Sequence, residues 1–278
     1  MYEGDASTWT EEESQLYLQL APVAIPARDE QIATIVSLLP FGAQSHFHAL
    51  DLGAGEGALA FAILASYPNA SLSLLDGSET MRDRARRCLD GFGNRATVQP
   101  FELGAPDWLP LINTSNIVVS SLLLHHLTDS QKPEFFETVF QRLLQPGALL
   151  IADIIQAHRP EQVGLLASTY DAVVRAQSIA MTGSEKAYEI FTDKEWNFFR
   201  CGFATSGEHP FSLADTLAAL QSSGFDGVDC FWLKAGFAVF GGYKGRRRSG
   251  VGVPWEAALR AARLGLDTAS RLREEPSE

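Results

Sequence analysis

Cationic side chains are in short supply in this 278-residue chain: 22 lysines and arginines stand against 34 aspartates and glutamates, a formal net charge of -12. A surface that binds nucleic acid in bulk needs a positive footprint, so RNA and DNA are disfavoured as partners. Cysteine is scarcer still. Cys88, Cys201 and Cys230 are odd in number, far apart and in no ligand spacing. That excludes a disulfide framework and fits structural thiols in a reducing compartment. No apolar run approaches the roughly 20 residues of a membrane helix. The first stretch, MYEGDASTWTEEES, is acidic and polar and lacks the pattern of a secretory or transit peptide, so a cytoplasmic location is expected. The histidines and Asp153 fall at no metal-ligand spacing, and no metal is expected. What is present is 46% hydrophobic and 20% charged residues, enough for one substantial domain with additions, or at most two.

Short apolar runs alternate with helical patterns from His46 to about Asp153. HFHALDL, ASLSLLD, ATVQPF, NIVVSSLLL and GALLIADII read as strands. GALAFAILASYP, SETMRDRARRCLDGF and KPEFFETVFQRLL read as helices, the second capped by Ser78 or Thr80 and stopped by Gly91. Strands apolar on both faces, each followed by a helix, make a parallel sheet covered on both sides. The expected fold is α/β: a Rossmann-like, doubly wound, seven-stranded sheet. After the fifth strand the alternation stops. Residues 156–210 carry two helical patterns and read as an inserted helical lid, because a βα connection usually takes about 2–6 residues. SLADTLAALQSSGF returns as a helix stopped by Gly224, and GVDCFWLKAGFAVFGGYK closes the sheet as an antiparallel hairpin turning at Lys234–Gly236. The expected division is an N-terminal helical cap (1–40), a core (41–155 and 211–244), the insert (156–210), and a basic linker with an amphipathic C-terminal helix (245–278). That helix carries Trp255, Leu259, Ala262, Leu266 and Ala269 on one face. It reads as packing on its own domain or a second subunit, with docking to a partner or an anionic membrane as the alternative.

The segment HALDLGAGEGALAFAIL raises the question of a ligand. Glycines 53, 55 and 57 sit between a strand and a helix, where the backbone can turn sharply and a ligand can approach it closely. A dinucleotide site has the spacing G-x-G-x-x-G and holds pyrophosphate on the helix N-terminus. Here the spacing is G-x-G-x-G, no Gly-Lys-Ser/Thr follows, and Asp51 and Glu56 bring negative charge to the loop. Two carboxylates suit a ligand with positive groups better than a polyphosphate. At the end of the second strand Asp76 is placed to accept hydrogen bonds from ribose hydroxyls. The expected ligand is a nucleoside with a cationic or amino-acid-like substituent.

With these residues in view, the sequence resembles the class I S-adenosylmethionine-dependent methyltransferases of the small-molecule type. ALDLGAGEGALA is similar to their first motif, LLDGSETMRDRAR to the second, FELGAPDWLP to the adenine-contacting third, NIVVSSLLLHHL to the fourth, and LLQPGALLIADII to the strand after it. The resemblance covers roughly Tyr17 to Lys244. It implies S-adenosyl-L-methionine as cofactor and S-adenosyl-L-homocysteine as product. It places Asp51, Gly53, Ala54 and Gly55 around the methionyl part and Asp76 on the ribose. Gly77, Ser78 and Met81 would flank the adenine, with Glu102 and Leu103 near its amino group. Glu102 departs from the aspartate usual there. Ser120, Ser121 and Leu122 would end the fourth strand beside the sulfonium.

Methyl transfer needs the acceptor in line with the S–CH3 bond, so positioning and desolvation come first and a base second. The insert offers Tyr170, Tyr188, Phe191, Trp196, Phe198, Phe199 and Phe203, either a core that seats it or a lid suited to a small, partly apolar acceptor. The substrate residues expected are Tyr170, Tyr188, Trp196, Phe199 and His209. Tyr17 and Arg28 are expected near the cofactor, and Arg28 is a candidate partner for a carboxylate. His125 and His126, at the end of the fourth strand, are the candidate catalytic bases, with His158 and His209 at the insert's edges. The insert and the C-terminal helix are the surfaces through which the chain could pair with a second copy. Three alternatives stand beside methyl transfer: a carboxy-S-adenosylmethionine-type enzyme, which SSLLLHHL also resembles, a non-catalytic S-adenosylmethionine-binding module controlling a partner, and an NAD-dependent oxidoreductase, which the glycine spacing and Glu56 disfavour.

Overall fold

The apolar runs form the strands of one sheet. A computed structural model describes residues 11–203, 208–245 and 252–274. The acidic first ten residues, the three arginines of the basic linker and the last four residues lie outside them. The strands are β1 (His48–Leu52), β2 (Ser71–Asp76), β3 (Ala96–Pro100), β4 (Ile117–Ser121), β5 (Gly147–Ile154), β6 (Asp226–Lys234) and β7 (Phe237–Lys244). Their order is β3-β2-β1-β4-β5-β7-β6. The first five are parallel, and β7 runs antiparallel to both β5 and β6. The hairpin turns through Ala235 and Gly236, at φ +50° and +84°, the two left-handed residues that a tight two-residue hairpin requires. Its first strand, β6, is the sheet edge, while β7 lies inside. The strand order reverses between β1 and β4, the point at whose carboxyl ends open α/β sheets bind ligands.

Alternate residues of the strands feed two cores. On one face Ala49, Leu72, Val119 and Leu150 pack under α2 (Arg28–Leu38), α3 (Ala58–Ser66) and α4 (Glu79–Leu89). On the other, Leu50, Val118 and Leu149 pack under α5 (Gln131–Arg142) and α9 (Leu213–Ser222). The insert contains three helices where periodicity indicated two: α6 (Pro160–Thr182), α7 (Lys186–Asp193) and the single turn α8 (Phe198–Cys201). Together with α1 (Glu11–Ala24) it builds a third core, in which Leu20 and Val23 meet Tyr170, Val174, Phe191 and Phe199. Ile154 and Phe237 join this core from the sheet. Ile154 is the last residue of β5 and Phe237 the first of β7, so the insert stands on the carboxyl ends of the strands. One side chain ties cap to insert: Gln177 accepts from the Ala27 amide at 2.8 Å and donates to the carbonyls of Val23 at 2.7 Å and Ile25 at 3.1 Å.

The C-terminal helix α10 (Trp255–Glu274) lies across α2, α3 and α4, burying Ala258, Ala262 and Ala269. A Cβ on Gly265 would stand 2.8 Å from the Ala58 carbonyl oxygen, so α10 sits against the first turn of α3. The alanines of this face are covered by the chain's own helices, while Trp255 at its start is exposed. Among the described residues, no helix is long and apolar enough to cross a membrane.

Candidate active site

Three glycines shape the loop after β1. Gly53, Gly55 and Gly57 have φ of +67°, +54° and +83°, a region that residues with a Cβ rarely adopt. A Cβ on Gly53 would fall 2.9 Å from that of Leu123, so the loop presses against the chain leaving β4. Around Gly55, by contrast, a Cβ would meet nothing within 4 Å. The loop is anchored by the Leu75 carbonyl, which accepts from the amides of Gly53 at 2.9 Å and Ala54 at 3.0 Å. Asp76 completes the anchor: it accepts from the Gly55 amide at 2.8 Å through Oδ2 and from the Ser78 amide at 3.0 Å through Oδ1. Ser78 caps α4 by accepting from the Met81 amide at 3.2 Å, and Met81 is buried. Gly77 approaches the Phe101 carbonyl, which brings the second segment against the third. Glu102 is exposed and Leu103 half-buried at that rim.

Asp51 is the anomaly of the site. It is 1% exposed, and neither carboxylate oxygen has a hydrogen-bond partner. Burial pushes its pKa up to about 7, the charge of Asp76 adds to the rise, and Arg28 opposes it. Arg28, at the start of α2, is half-buried, with its guanidinium 6.0 Å from the centre of the Tyr17 ring. Asp76 thus holds the glycine loop, and Asp51 lies within the field of both Asp76 and Arg28, with Tyr17 beside the Arg28 guanidinium.

Glu56 does not belong to this group, and the reading that it faces a ligand is corrected. It is 1% exposed and accepts from Arg273 Nε at 2.8 and 3.0 Å, with Nη2 of the same guanidinium on Oε2. Arg84 stands 3.8 Å away. Its charge is neutralised on the side of α4 and α10. Ser120 is likewise engaged: fully buried, it donates to the Leu52 carbonyl at 3.1 Å and staples β4 to β1. Ser121 and Leu122 are half-buried at the strand's end.

His125 and His126 follow in a 3₁₀ turn, Leu124–His126, their rings 4.3 Å apart. His125 Nδ1 is 2.6 Å from Asp153 Oδ1, and the His125 amide donates to Oδ2 at 3.2 Å. Burial works to lower the His125 pKa, but the charge and hydrogen bond of Asp153 outweigh it and the net shift is upward. His126 goes the other way, pushed down to about 3 by burial and by the charge of His125. His209 reaches this place through its backbone: its amide donates to the His125 carbonyl at 2.6 Å. His158 is elsewhere, exposed beside Ser212. Of the insert's aromatics, Tyr170, Phe191 and Phe199 are core residues, with Tyr170 packed edge-on against Phe191 at 5.1 Å and Phe199 at 6.1 Å. Tyr188 and Trp196 are half-buried and keep surface to offer.

Two residues escaped sequence reasoning as parts of this site. Asp153 was visible as an acidic residue in an otherwise apolar strand, the same signal that marks Asp51. Lys132 carried no signal: it is 5% exposed and donates to Asp129 and to the His209 carbonyl, holding the returning insert against the chain after β4.

A family profile described as a methyltransferase domain matches residues 50–150, the stretch from β1 to β5 that carries the glycine loop, Asp76 and the two histidines. Over this stretch, little more than a third of the chain, the sequence is similar to a methyltransferase domain. The chain is 26% identical over 137 residues to a carboxy-S-adenosyl-L-methionine synthase of Idiomarina loihiensis, a match taking in 48% of this chain and 55% of that protein. Its fold is similar to that of an O-methyltransferase family protein from Burkholderia thailandensis (TM-score 0.55, 14% identity, covering 86% of this chain and 60% of that one). It is also similar in fold to human N-acetylserotonin methyltransferase in complex with SAM (TM-score 0.53, 16% identity, 88% and 59%). The chain spans little more than half the length of these relatives.

Proposed function

We propose that the protein transfers a methyl group from S-adenosyl-L-methionine to a small, partly apolar acceptor beneath the helical insert. The observation that carries this is Asp51: a buried carboxylate without a hydrogen-bond partner, beside an open glycine loop and within the field of Arg28. A polar group so buried is unfavourable unless a ligand completes it. An α-amino acid end supplies both complements, an ammonium for Asp51 and a carboxylate for Arg28. Asp76, at the end of β2 beside the Gly55 amide, is placed to meet ribose hydroxyls, and Gly77, Met81 and Leu103 supply a rim for the adenine.

When bound, the cofactor offers a methyl on a sulfonium, open to attack in line with the S–C bond. The chain's part is positional and protic. The insert, with Tyr188 and Trp196 at its surface, orients the acceptor and excludes water. For an acceptor that must lose a proton, His125 is the better base of the two histidines. Asp153 fixes its Nδ1, which leaves Nε2 to receive the proton, and an elevated pKa suits proton transfer near neutrality. His126, held near 3, is a weak acceptor. The test is release of S-adenosylhomocysteine against a panel of small hydroxylated and amino aromatic acceptors. His125→Gln is expected to lower kcat/KM about 10²-fold or more while leaving cofactor affinity unchanged; retention of full turnover removes His125 from the chemistry.

The likeness to the carboxy-S-adenosyl-L-methionine synthase favours a second reading, in which the product is the cofactor itself carrying a carboxyl group. Native mass spectrometry of the purified protein separates the two, since only the second copurifies with a nucleoside heavier by that group.

A further inference from the structure

The C-terminal helix lies outside the stretch matched by the methyltransferase profile, yet it touches both walls of the proposed amino-acid subsite. At one wall, Arg273 clasps Glu56 inside the glycine loop, and Arg84 joins the pair by donating to the Leu272 carbonyl at 3.2 Å. At the other, Arg263 donates to Asp29 at 2.9 Å. Asp29 is the neighbour of Arg28 in the first turn of α2. Between these points Gly265 allows α10 to rest on the Ala58 carbonyl, one residue beyond the loop's last glycine.

Each contact carries more than surface charge. Arg273 and Arg84 are about 14% and 15% exposed, and Glu56 is 1% exposed. A buried carboxylate stripped of its guanidinium seeks water or protonation. Glu56 lies between Gly55 and Gly57, two residues held at positive φ, so its release changes the loop that frames Asp51.

We propose that α10 is a positioning element for the amino-acid end of the cofactor, with Arg273 setting the glycine loop and Arg263 setting the turn that carries Arg28. The proposal rests on the cofactor reading above. Binding and helix docking are then coupled, and the coupling is reciprocal: cofactor tightens α10 on the domain, and loss of α10 contacts weakens cofactor.

The test is calorimetric titration of wild type and Arg273→Met with two ligands, S-adenosylhomocysteine and 5′-methylthioadenosine. The second keeps adenosine and thioether but lacks the amino-acid end. Circular dichroism establishes that the variant is folded. The expected result is a loss of about tenfold or more in affinity for S-adenosylhomocysteine and less than about twofold for methylthioadenosine. Equal loss for both ligands, or no loss for either, overturns the proposal. If Arg273→Met fails to fold, Arg263→Gln replaces it, because that side chain is 62% exposed and its removal leaves the cores intact. The same selective pattern is expected there at about fivefold, and its absence overturns the proposal equally. A wild type that binds neither ligand contradicts the cofactor reading itself, an outcome distinct from failure of the helix's role alone.

Discussion

Asp51 sets the behaviour expected at the scale of single residues. Its pKa is raised from 3.8 to about 7 in the folded protein, so the ligand-free fold binds this proton more tightly than the unfolded chain does. The contribution to stability is therefore full below the unfolded value and is lost as pH rises through about 7. Ligand binding runs oppositely, because an ammonium pairs with the carboxylate and not with the acid. Affinity for S-adenosylhomocysteine is expected to rise about tenfold between roughly pH 5.5 and 7.5, measured by calorimetry. Asp51→Asn should flatten that profile, weaken binding, and raise the melting temperature above pH 7 by removing a buried charge. A variant with wild-type affinity and pH profile contradicts this role. Asp51 and Asp76 stand out in the sequence because each sets a charge at or beside the end of an apolar strand. Glu56 was misread for a reason that no local pattern could repair: its partner Arg273 lies 217 residues further along the chain.

At the scale of elements, the insert and α10 make separate predictions. Tyr170 joins the ring cluster that seats the insert on Ile154 and Phe237. Tyr170→Ala is expected to cost about 3–5 kcal/mol of stability through the cavity it leaves, read as a lower midpoint in denaturant. A change smaller than about 1 kcal/mol would remove the third core from the account. Gly265→Ala should be destabilising although alanine favours helix by about 1 kcal/mol, because its Cβ meets the Ala58 carbonyl 2.8 Å away. A higher melting temperature would show that α10 does not lie so close to α3. Most elements could be read from periodicity: alternating strands and helices through β5, the hairpin, the amphipathic tail. The third helix of the insert could not, since a four-residue turn such as α8 shows no period. Which residues of the insert are core was also hidden, because Tyr170 and Tyr188 have the same chemistry and differ only in the face they occupy.

For the whole molecule, the strand order places the carboxyl ends of β2, β1 and β4 side by side. The cap and insert stand on that side, and α10 braces the loop and the turn from behind. The fold was legible because strands buried on both faces admit few arrangements. The bracing was not, because an arginine at the end of an amphipathic helix is read as solvated until the fold brings it to a buried carboxylate. The central claim is that the glycine loop, Asp51 and Asp76 hold the aminoacyl nucleoside of a methyl donor and not a dinucleotide. Calorimetric titration of the ligand-stripped protein with S-adenosylmethionine, with NAD as control, tests it most directly. Saturable binding of the first and none of the second is the predicted result; binding of NAD, or of neither, would contradict it.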